Sequence, residues 1–367
     1  MKICECCFND KEIISVIRGF NKEGKCSVCG NTARIYDTEE DDYLIPWFEN
    51  LVDIYTQEEL LPNKYKKADL TTLSKELKYG WNIFNDSVAE ENVKRIIISI
   101  LNEKYLSNKN LFEDKIGIAE KCDESVLSDI SILKSNTREK FSKNLITKNR
   151  YHNKDLDLDK FVKFLSYIEK KYGIGEKFYR GRISKKDGID ISDMGVPPRD
   201  KIQGGRVNAE GVECLYLGDS LNTTIHEIRA GLYDYVTIGV FQSICELNVV
   251  DLREINNISP FIETLDTLDH AINKIFLNKI NEEMGKVMRK TDSKLEYVPT
   301  QYITDFVKSI TDQSGNYQYD GIIYNSVMNK DGYNIAIFYP EKLQCKYTEV
   351  YEIMNVEYDT TNIKDKS

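Results

Sequence analysis

Two short runs decide the fold of the C-terminal half: VTIGVF at residues 236–241 and LNVVDL at residues 247–252. Both are apolar and rich in β-branched residues, which favours β-strands. Helical patterns interrupt the region at residues 220–230 and at about residues 264–290. Four more runs of the strand type follow Gly175, at residues 178–180, 214–217, 321–324 and 335–339. Residues 174–367 are therefore predicted to form a mixed α/β domain.

The preceding region, residues 41–173, has few glycines and shows apolar residues at helical spacing, as in the segment 93–101. Asp69 and Asp157 are predicted to cap two of its helices, the second of which ends at Gly173. We expect a helical regulatory or adaptor domain here. The whole chain is accordingly predicted to be α+β.

Residues 1–40 contain two cysteine pairs, Cys4-x-x-Cys7 and Cys26-x-x-Cys29, separated by eighteen residues. Each pair can present two thiolates to one Zn²⁺ ion, and four cysteines close its tetrahedral shell, so the ion would be structural. Cys6 is an alternative to Cys7 as ligand, and a reduced N-terminus with coincidental cysteines is the alternative to a zinc ribbon.

Composition limits the partners. The 367 residues carry a net charge of −10 and a pI near 5.1, which argues against a broad nucleic-acid surface. No run of about 18 apolar residues is present, and the N-terminus leads into the cysteine pairs instead of an apolar signal segment. We therefore expect a cytoplasmic protein without a membrane span.

Four islands in the second half stand out in their order and local wording: FYRGR at residues 178–182, GGRVNAEG at 204–211, SLNTTIHE at 220–227 and YDGIIYNS at 319–326. Over about residues 175–350 they resemble the RES domain, a family named for an arginine, a glutamate and a serine. Its known members include NAD⁺-degrading bacterial toxins with a fold similar to that of ADP-ribosyltransferase toxins. The resemblance implies that Arg180, Glu227 and Ser326 are the catalytic residues and that Arg206 is a second family arginine.

The residue types also support cleavage of NAD⁺ independently of the resemblance. Cleavage of the nicotinamide–ribose bond passes through an oxocarbenium-like ribose, which a facing carboxylate such as Glu227 stabilises. Ser220 is predicted to cap the helix that carries it. Ser326 ends a short strand, where its hydroxyl could bind the nicotinamide amide or ribose, or position water or phosphate. The alternatives are a surface carboxylate and a turn serine.

Arginines suit the pyrophosphate of NAD⁺ because their planar donors bind it bidentately. Arg180 and Arg182 alternate along one strand and therefore face the same side. Gly205 lets backbone N–H groups turn toward a phosphate beside Arg206. Solvated edge-strand arginines and an ordinary Gly-Gly turn are the alternatives.

Aromatic residues complete the predicted substrate site. Tyr179 and Tyr216 could stack on nicotinamide or adenine, although aromatic residues in such strands are more often core. His226 adjoins Glu227 but points about 100° away from it on a helix, so we expect a partly exposed or structurally buried histidine and not a general base.

The sequence departs from a compact RES toxin in two places. About a hundred residues separate Glu227 from Ser326 and include a helical pattern, which is compatible with a lid, a homodimer contact or extra core. The front half is also additional, and it suggests a regulator in place of, or beside, an antitoxin or defence-system partner.

Three functions are compatible with the sequence. The first is an NAD⁺ glycohydrolase or phosphorylase that depletes NAD⁺ as a toxin or anti-phage effector. The second is an ADP-ribosyltransferase that modifies a macromolecule. The third is a non-catalytic zinc-ribbon protein that binds a nucleotide.

Overall fold

The computed structural model describes residues 1–134, 138–287, 293–357 and 360. Contacts divide the chain into two compact units. Unit 1 comprises residues 1–134 and 256–276, and unit 2 comprises residues 135–255 and 277–367. Helices and strands occur in both, so the α+β prediction is confirmed. Among the described residues, no helix combines the length and the apolar character needed to cross a membrane.

Unit 1 begins with a small antiparallel sheet of order β1-β3-β2. Its strands are β1 (Lys2–Cys4), β2 (Glu23–Lys25) and β3 (Thr32–Asp37), and helix α1 (Lys11–Phe20) lies between the first two in sequence. The Asp10 side chain caps α1 by accepting hydrogen bonds from the backbone N–H groups of Glu12 and Ile13.

The rest of unit 1 is mainly helical. A second small sheet has the order β4-β6-β5, with strands β4 (Thr56–Gln57), β5 (Thr71–Thr72) and β6 (Lys115–Gly117). The helices are α2 (Ile45–Val52), α3 (Leu73–Lys75), α4 (Glu90–Ile100), α5 (Asn102–Ser107), α6 (Asn110–Glu113) and α7 (Glu124–Ile130). The predicted helical face at residues 93–101 is confirmed, because α4 buries its apolar residues. The predicted cap at Asp69 is wrong, since Thr72 adjoins α3 and accepts from the Lys75 N–H group.

Unit 2 is built on one eight-stranded sheet of order β14-β10-β8-β9-β13-β12-β11-β7. Strands β11 and β12 run parallel, and the other neighbours run antiparallel. The strands are β7 (Glu169–Tyr172), β8 (Lys177–Ser184), β9 (Leu215–Gly218), β10 (Tyr235–Ser243), β11 (Leu247–Asp251), β12 (Gly321–Asn325), β13 (Tyr333–Ile337) and β14 (Leu343–Glu352).

All six predicted strand runs lie in this sheet, in β8 to β13. The run at residues 236–241 is buried along its whole length in β10, which pairs with β8 on one side and β14 on the other. A continuous apolar run suits such an inner strand because both of its faces are covered. Strands β7 and β14 were not predicted.

Among its described residues, unit 2 also contains four complete α-helices: α8 (Arg138–Thr147), α9 (Leu158–Ser166), α10 (Leu221–Glu227) and α12 (Val298–Ser309). The residues of α11 (Thr267–Met284) are divided between unit 1 and unit 2. The Asp157 and Ser220 caps are confirmed, since their side chains accept from the N–H groups of Lys160 and Thr223. The predicted end of the helix at Gly173 is wrong. Helix α9 ends at Ser166 because residues 169–172 pair with β11 as β7.

The units therefore divide at places that differ from the predicted boundary between residues 173 and 174. Residues 138–173 belong to unit 2, whereas residues 256–276 of the long insertion belong to unit 1. In unit 1, Phe261 and Ala271 lie in the apolar core. Of the three interpretations of the insertion, extra core describes this part of it.

Candidate functional site

A cavity of about 270 Å³ opens where β8 and β9 share a single paired position, Tyr179 with Gly218. Its wall comes from β8, β9 and α10, with contributions from β12 and β13. Four predicted site residues line it: Tyr179, Arg180, Tyr216 and Glu227. Ser326 contacts the last of these, so the structure brings the dispersed arginine, glutamate and serine to one place.

Glu227 ends α10 and its carboxylate is fixed through one oxygen. Glu227 Oε1 accepts a hydrogen bond of 2.6 Å from Ser326 Oγ and another of 2.6 Å from Asn334 Nδ2. Hydrogen bonds to a carboxylate are about twice as strong as neutral ones, so this pair fixes the direction of the side chain. The described residues provide no hydrogen bond to Oε2.

Ser326 follows β12, and its hydroxyl group makes three hydrogen bonds, one of them to Glu227. Its hydroxyl oxygen accepts from the backbone N–H groups of Met328 at 3.2 Å and Asn329 at 3.0 Å. A hydroxyl has one proton, which Ser326 donates to Glu227. Its geometry thus orients the carboxylate.

Arg180 is a half-buried cation in the wall of the same cavity. One terminal nitrogen donates to the carbonyl oxygen of Tyr216 at 3.1 Å, while Nε has no partner among the described residues. Burial, and then the nearby charge of Arg182, lowers the pKa of Arg180 to about 10. In the described part of the chain no carboxylate lies within ion-pair distance of it, so this site favours an anion.

Three tyrosines give the cavity an aromatic wall: Tyr179, Tyr216 and Tyr324. The Tyr216 hydroxyl donates to Asn208 Oδ1 at 2.5 Å and accepts from the Val207 N–H group at 3.3 Å. Burial raises the pKa of Tyr216 and of Tyr324 well above the usual tyrosine value, and the Glu227 carboxylate adds to the effect at Tyr324. Both phenols are therefore neutral donors and not bases.

The other predicted substrate residues are placed outside this cavity. Arg182 donates to the Gly195 carbonyl at 2.8 Å. Arg206 donates to the carbonyls of Glu283 at 2.7 Å and Met284 at 2.6 Å, at the C-terminal end of α11, and lines a separate cavity of about 470 Å³. Their roles toward a phosphate stay predictions.

Gly205 has a packing reason to be glycine. A Cβ atom there would lie 2.7 Å from Tyr216 Oη and 3.1 Å from Asn208 Oδ1. The turn therefore supports the tyrosine wall from behind. His226 is exposed and does not line the cavity.

Sequence reasoning missed Asn334, Thr224 and Tyr324 as cavity residues. The signal at Asn334 was present, because it is an amide in the otherwise apolar stretch YNIAI of β13. A buried amide in such a strand needs a hydrogen-bond partner, which here is Glu227.

A second candidate site lies in the N-terminal module of unit 1. The sulfur atoms of Cys4, Cys7, Cys26 and Cys29 all lie within 4.8 Å of one another, so these four residues could hold a metal ion. The Sγ–Sγ distances are 3.8 Å for Cys4–Cys7, 3.4 Å for Cys4–Cys29 and 3.6 Å for Cys7–Cys26. Tetrahedral bonds of about 2.3 Å to one Zn²⁺ ion place sulfurs roughly 3.8 Å apart, so the donor set fits.

The local structure explains this convergence. Cys4 ends β1 and Cys7 follows in the next turn, while Gly30 adopts a φ of 75° just after Cys29, a conformation that side chains other than glycine rarely take. Cys6 is exposed and lies outside the cluster, whereas Cys7 is buried within it, so the position of the sulfur atoms favours Cys7 as the ligand.

Comparison with protein-family models gives a match to the second half of the chain. The family model described as RES domain matches residues 181–357, which confirms the predicted resemblance. The match includes Glu227, Ser326 and Asn334 and begins one residue after Arg180. No curated protein matches the chain.

Proposed function

Because residues 181–357 of this chain match the RES domain family model, we propose that the cavity beside β8, β9 and α10 binds NAD⁺ and cleaves its nicotinamide–ribose bond. The observation that carries the proposal is the presence, in the lining of one cavity, of a half-buried arginine without a carboxylate partner among the described residues and of a carboxylate held through one oxygen. An anionic ligand that develops positive charge at one end suits this combination.

The chemistry follows from where charge appears during the reaction. As the bond to nicotinamide breaks, C1 of the ribose becomes oxocarbenium-like, and the negative Glu227 stabilises it. Glu227 Oε2 is left to accept from a ribose hydroxyl, which would place the sugar against the carboxylate. The bonding electrons leave with nicotinamide, which becomes neutral as its ring charge is cancelled.

The residues that line the cavity suit the nicotinamide riboside part of NAD⁺ and the phosphate next to it. A cavity of about 270 Å³ lies near the lower end of the range of about 300–1,000 Å³ for small-molecule pockets, so it would hold the nicotinamide riboside end. Tyr179 offers an aromatic face to the base. Arg180 would bind the adjacent phosphate through its guanidinium group, since it lines the same cavity.

The experiment is nicotinamide release from NAD⁺ by purified full-length protein. The variant Glu227→Gln keeps an oxygen that accepts from Ser326 and Asn334 but removes the charge, and we expect kcat to fall by about 10²- to 10³-fold. The exposed Asn222→Ala on the same helix is the control and should retain wild-type kcat. Equal rates for wild type and Glu227→Gln would contradict the proposal.

Product analysis by mass spectrometry, with and without phosphate, then separates the possible acceptors. Free ADP-ribose indicates a glycohydrolase, and ADP-ribose 1″-phosphate indicates a phosphorylase. Label on a macromolecule would instead indicate an ADP-ribosyltransferase. The expected product is a free small molecule, whose formation in cells would deplete NAD⁺ as a toxin or anti-phage effector does.

For the N-terminal module we propose structural Zn²⁺ held by Cys4, Cys7, Cys26 and Cys29. Four thiolates leave no open position for substrate or water, so the ion would hold the module together and take no part in catalysis.

A further inference from the structure

Two side-chain donors converge on one oxygen of Glu227, and one of them, Asn334, belongs to none of the four sequence islands. Ser326 Oγ and Asn334 Nδ2 each lie 2.6 Å from Glu227 Oε1. Building on the proposed NAD⁺ cleavage, we propose that Asn334 is a positioning residue that holds Oε1, so that Oε2 alone addresses the ribose.

Glu227 uses the hydrogen-bonding capacity of its two carboxylate oxygens unequally. A carboxylate has two oxygens, and two charge-assisted bonds to one of them fix both its rotation and its distance from the sheet. Because Oε2 has no donor among the described residues, its lone pairs remain available to a ligand in the cavity that Glu227 lines. The pair of donors thus divides the carboxylate into an anchored oxygen and a reacting one.

The two donors are not equivalent. Ser326 is itself held by the backbone N–H groups of Met328 and Asn329, in the loop between β12 and β13. Asn334 lies inside β13, where it pairs with Tyr324 on one side and Gly218 on the other, and it is 8% exposed. A strand holds a side chain more precisely than a loop, so Asn334 is the firmer of the two supports.

A third contact ties the loop to the helix that carries Glu227. Asn329 Nδ2 donates to Thr223 Oγ1 at 2.9 Å, one helical turn before Glu227 on the same face of α10. At Gly332 a Cβ atom would lie only 2.0 Å from Thr223 Oγ1, so the loop packs directly on the helix. Residues 326–334 therefore contact α10 at two places, Thr223 near its N-terminal end and Glu227 at its C-terminal end.

The test measures kcat and KM for nicotinamide release in Asn334→Ala and Asn334→Asp. Both remove the donor, and Asp keeps the shape of Asn while placing a second carboxylate oxygen beside Oε1. We expect kcat to fall about 10- to 100-fold in Asn334→Ala, and at least as far in Asn334→Asp, while KM stays within about threefold. Asn222→Ala on α10 serves as the matched Asn→Ala control and should keep both constants.

ADP-ribose binding is the second readout. If Asn334 only orients Glu227, the Kd of each variant for ADP-ribose stays close to that of the wild type, because the phosphates are held elsewhere. A wild-type protein without NAD⁺ turnover would overturn the proposed function and this inference with it. An active wild type whose kcat is unchanged in both Asn334 variants would overturn this inference alone, and so would a loss of kcat matched by an equal loss of ADP-ribose binding.

Discussion

Replacing Arg180 by Met should stabilise the ligand-free protein while abolishing NAD⁺ cleavage. Burial lowers the pKa of Arg180 to about 10, against about 12.5 or more for an exposed arginine. Each pKa unit corresponds to about 1.4 kcal/mol, so holding this charge in the folded protein costs about 3 kcal/mol at neutral pH. The methionine side chain has similar length and no charge.

The gain is partly offset by a lost hydrogen bond. Arg180 donates to the Tyr216 carbonyl at 3.1 Å, and leaving that acceptor without a partner costs about 1–2 kcal/mol. We therefore expect a net stabilisation of about 1–2 kcal/mol. For a unit of this size that corresponds to an increase in Tm of about 2–8 °C.

The pH dependence has a definite sign. Because the folded pKa lies below the unfolded one, the destabilisation is fully present below about pH 10 and disappears as pH rises above the folded pKa. The difference between Arg180→Met and wild type should therefore be constant from pH 6 to 9.

Thermal unfolding with and without ADP-ribose is the assay. Arg199→Met is the matched control, because the Arg199 side chain is 82% exposed and its ion pair with Glu213 lies at the surface. We expect its Tm to stay within about 2 °C of wild type. A lower Tm for Arg180→Met, or equal stabilisation of Arg180→Met and wild type by ADP-ribose, would refute the reasoning.

Two further predictions concern unit 1. Metal analysis should find one zinc ion per chain. The variant Cys26→Ser should lose this ion and the cooperative unfolding of unit 1, whereas Cys6→Ser should retain the ion because Cys6 lies outside the cluster. A full complement of zinc in Cys26→Ser would contradict the four-cysteine site. The Lys274 ammonium lies 4.0 Å from the Trp81 ring, and burial lowers its pKa to about 7. Since the unfolded chain then binds the extra proton between about pH 7 and 10, the free energy of unfolding should rise by up to about 2 kcal/mol from pH 7 to 9. Urea unfolding should show this rise in wild type and a flat profile in Lys274→Met; the same slope in both proteins would count against the buried ammonium.

Much of the local structure could be predicted from sequence because it depends on near neighbours. The six strand runs, the Asp157 and Ser220 caps and the face of α4 follow from propensity and periodicity over a few residues. The failures are also local in origin. Asp69 is a good cap by type, yet Thr72 stands closer to the helix start and takes the bond.

The candidate site was predicted in part. Arg180, Tyr179, Tyr216 and Glu227 share one cavity, and Ser326 contacts Glu227. Asn334 was missed because its partner lies 107 residues away in sequence, and nothing in the run YNIAI specifies which strand end or helix it will meet. Arg206 was expected beside a phosphate, whereas the structure engages its guanidinium at the end of α11.

The sequence by itself determined the residue chemistry of this protein: two CxxC pairs, a mixed α/β half and an ordered set of arginine, glutamate and serine islands. Tertiary structure alone decided that β7 joins the large sheet, that residues 256–276 pack in unit 1 and that Asn334 anchors Glu227. The reason is physical. Helix caps and strand propensities act over a few residues, but strand order and side-chain convergence depend on burial and loop closure across a hundred or more.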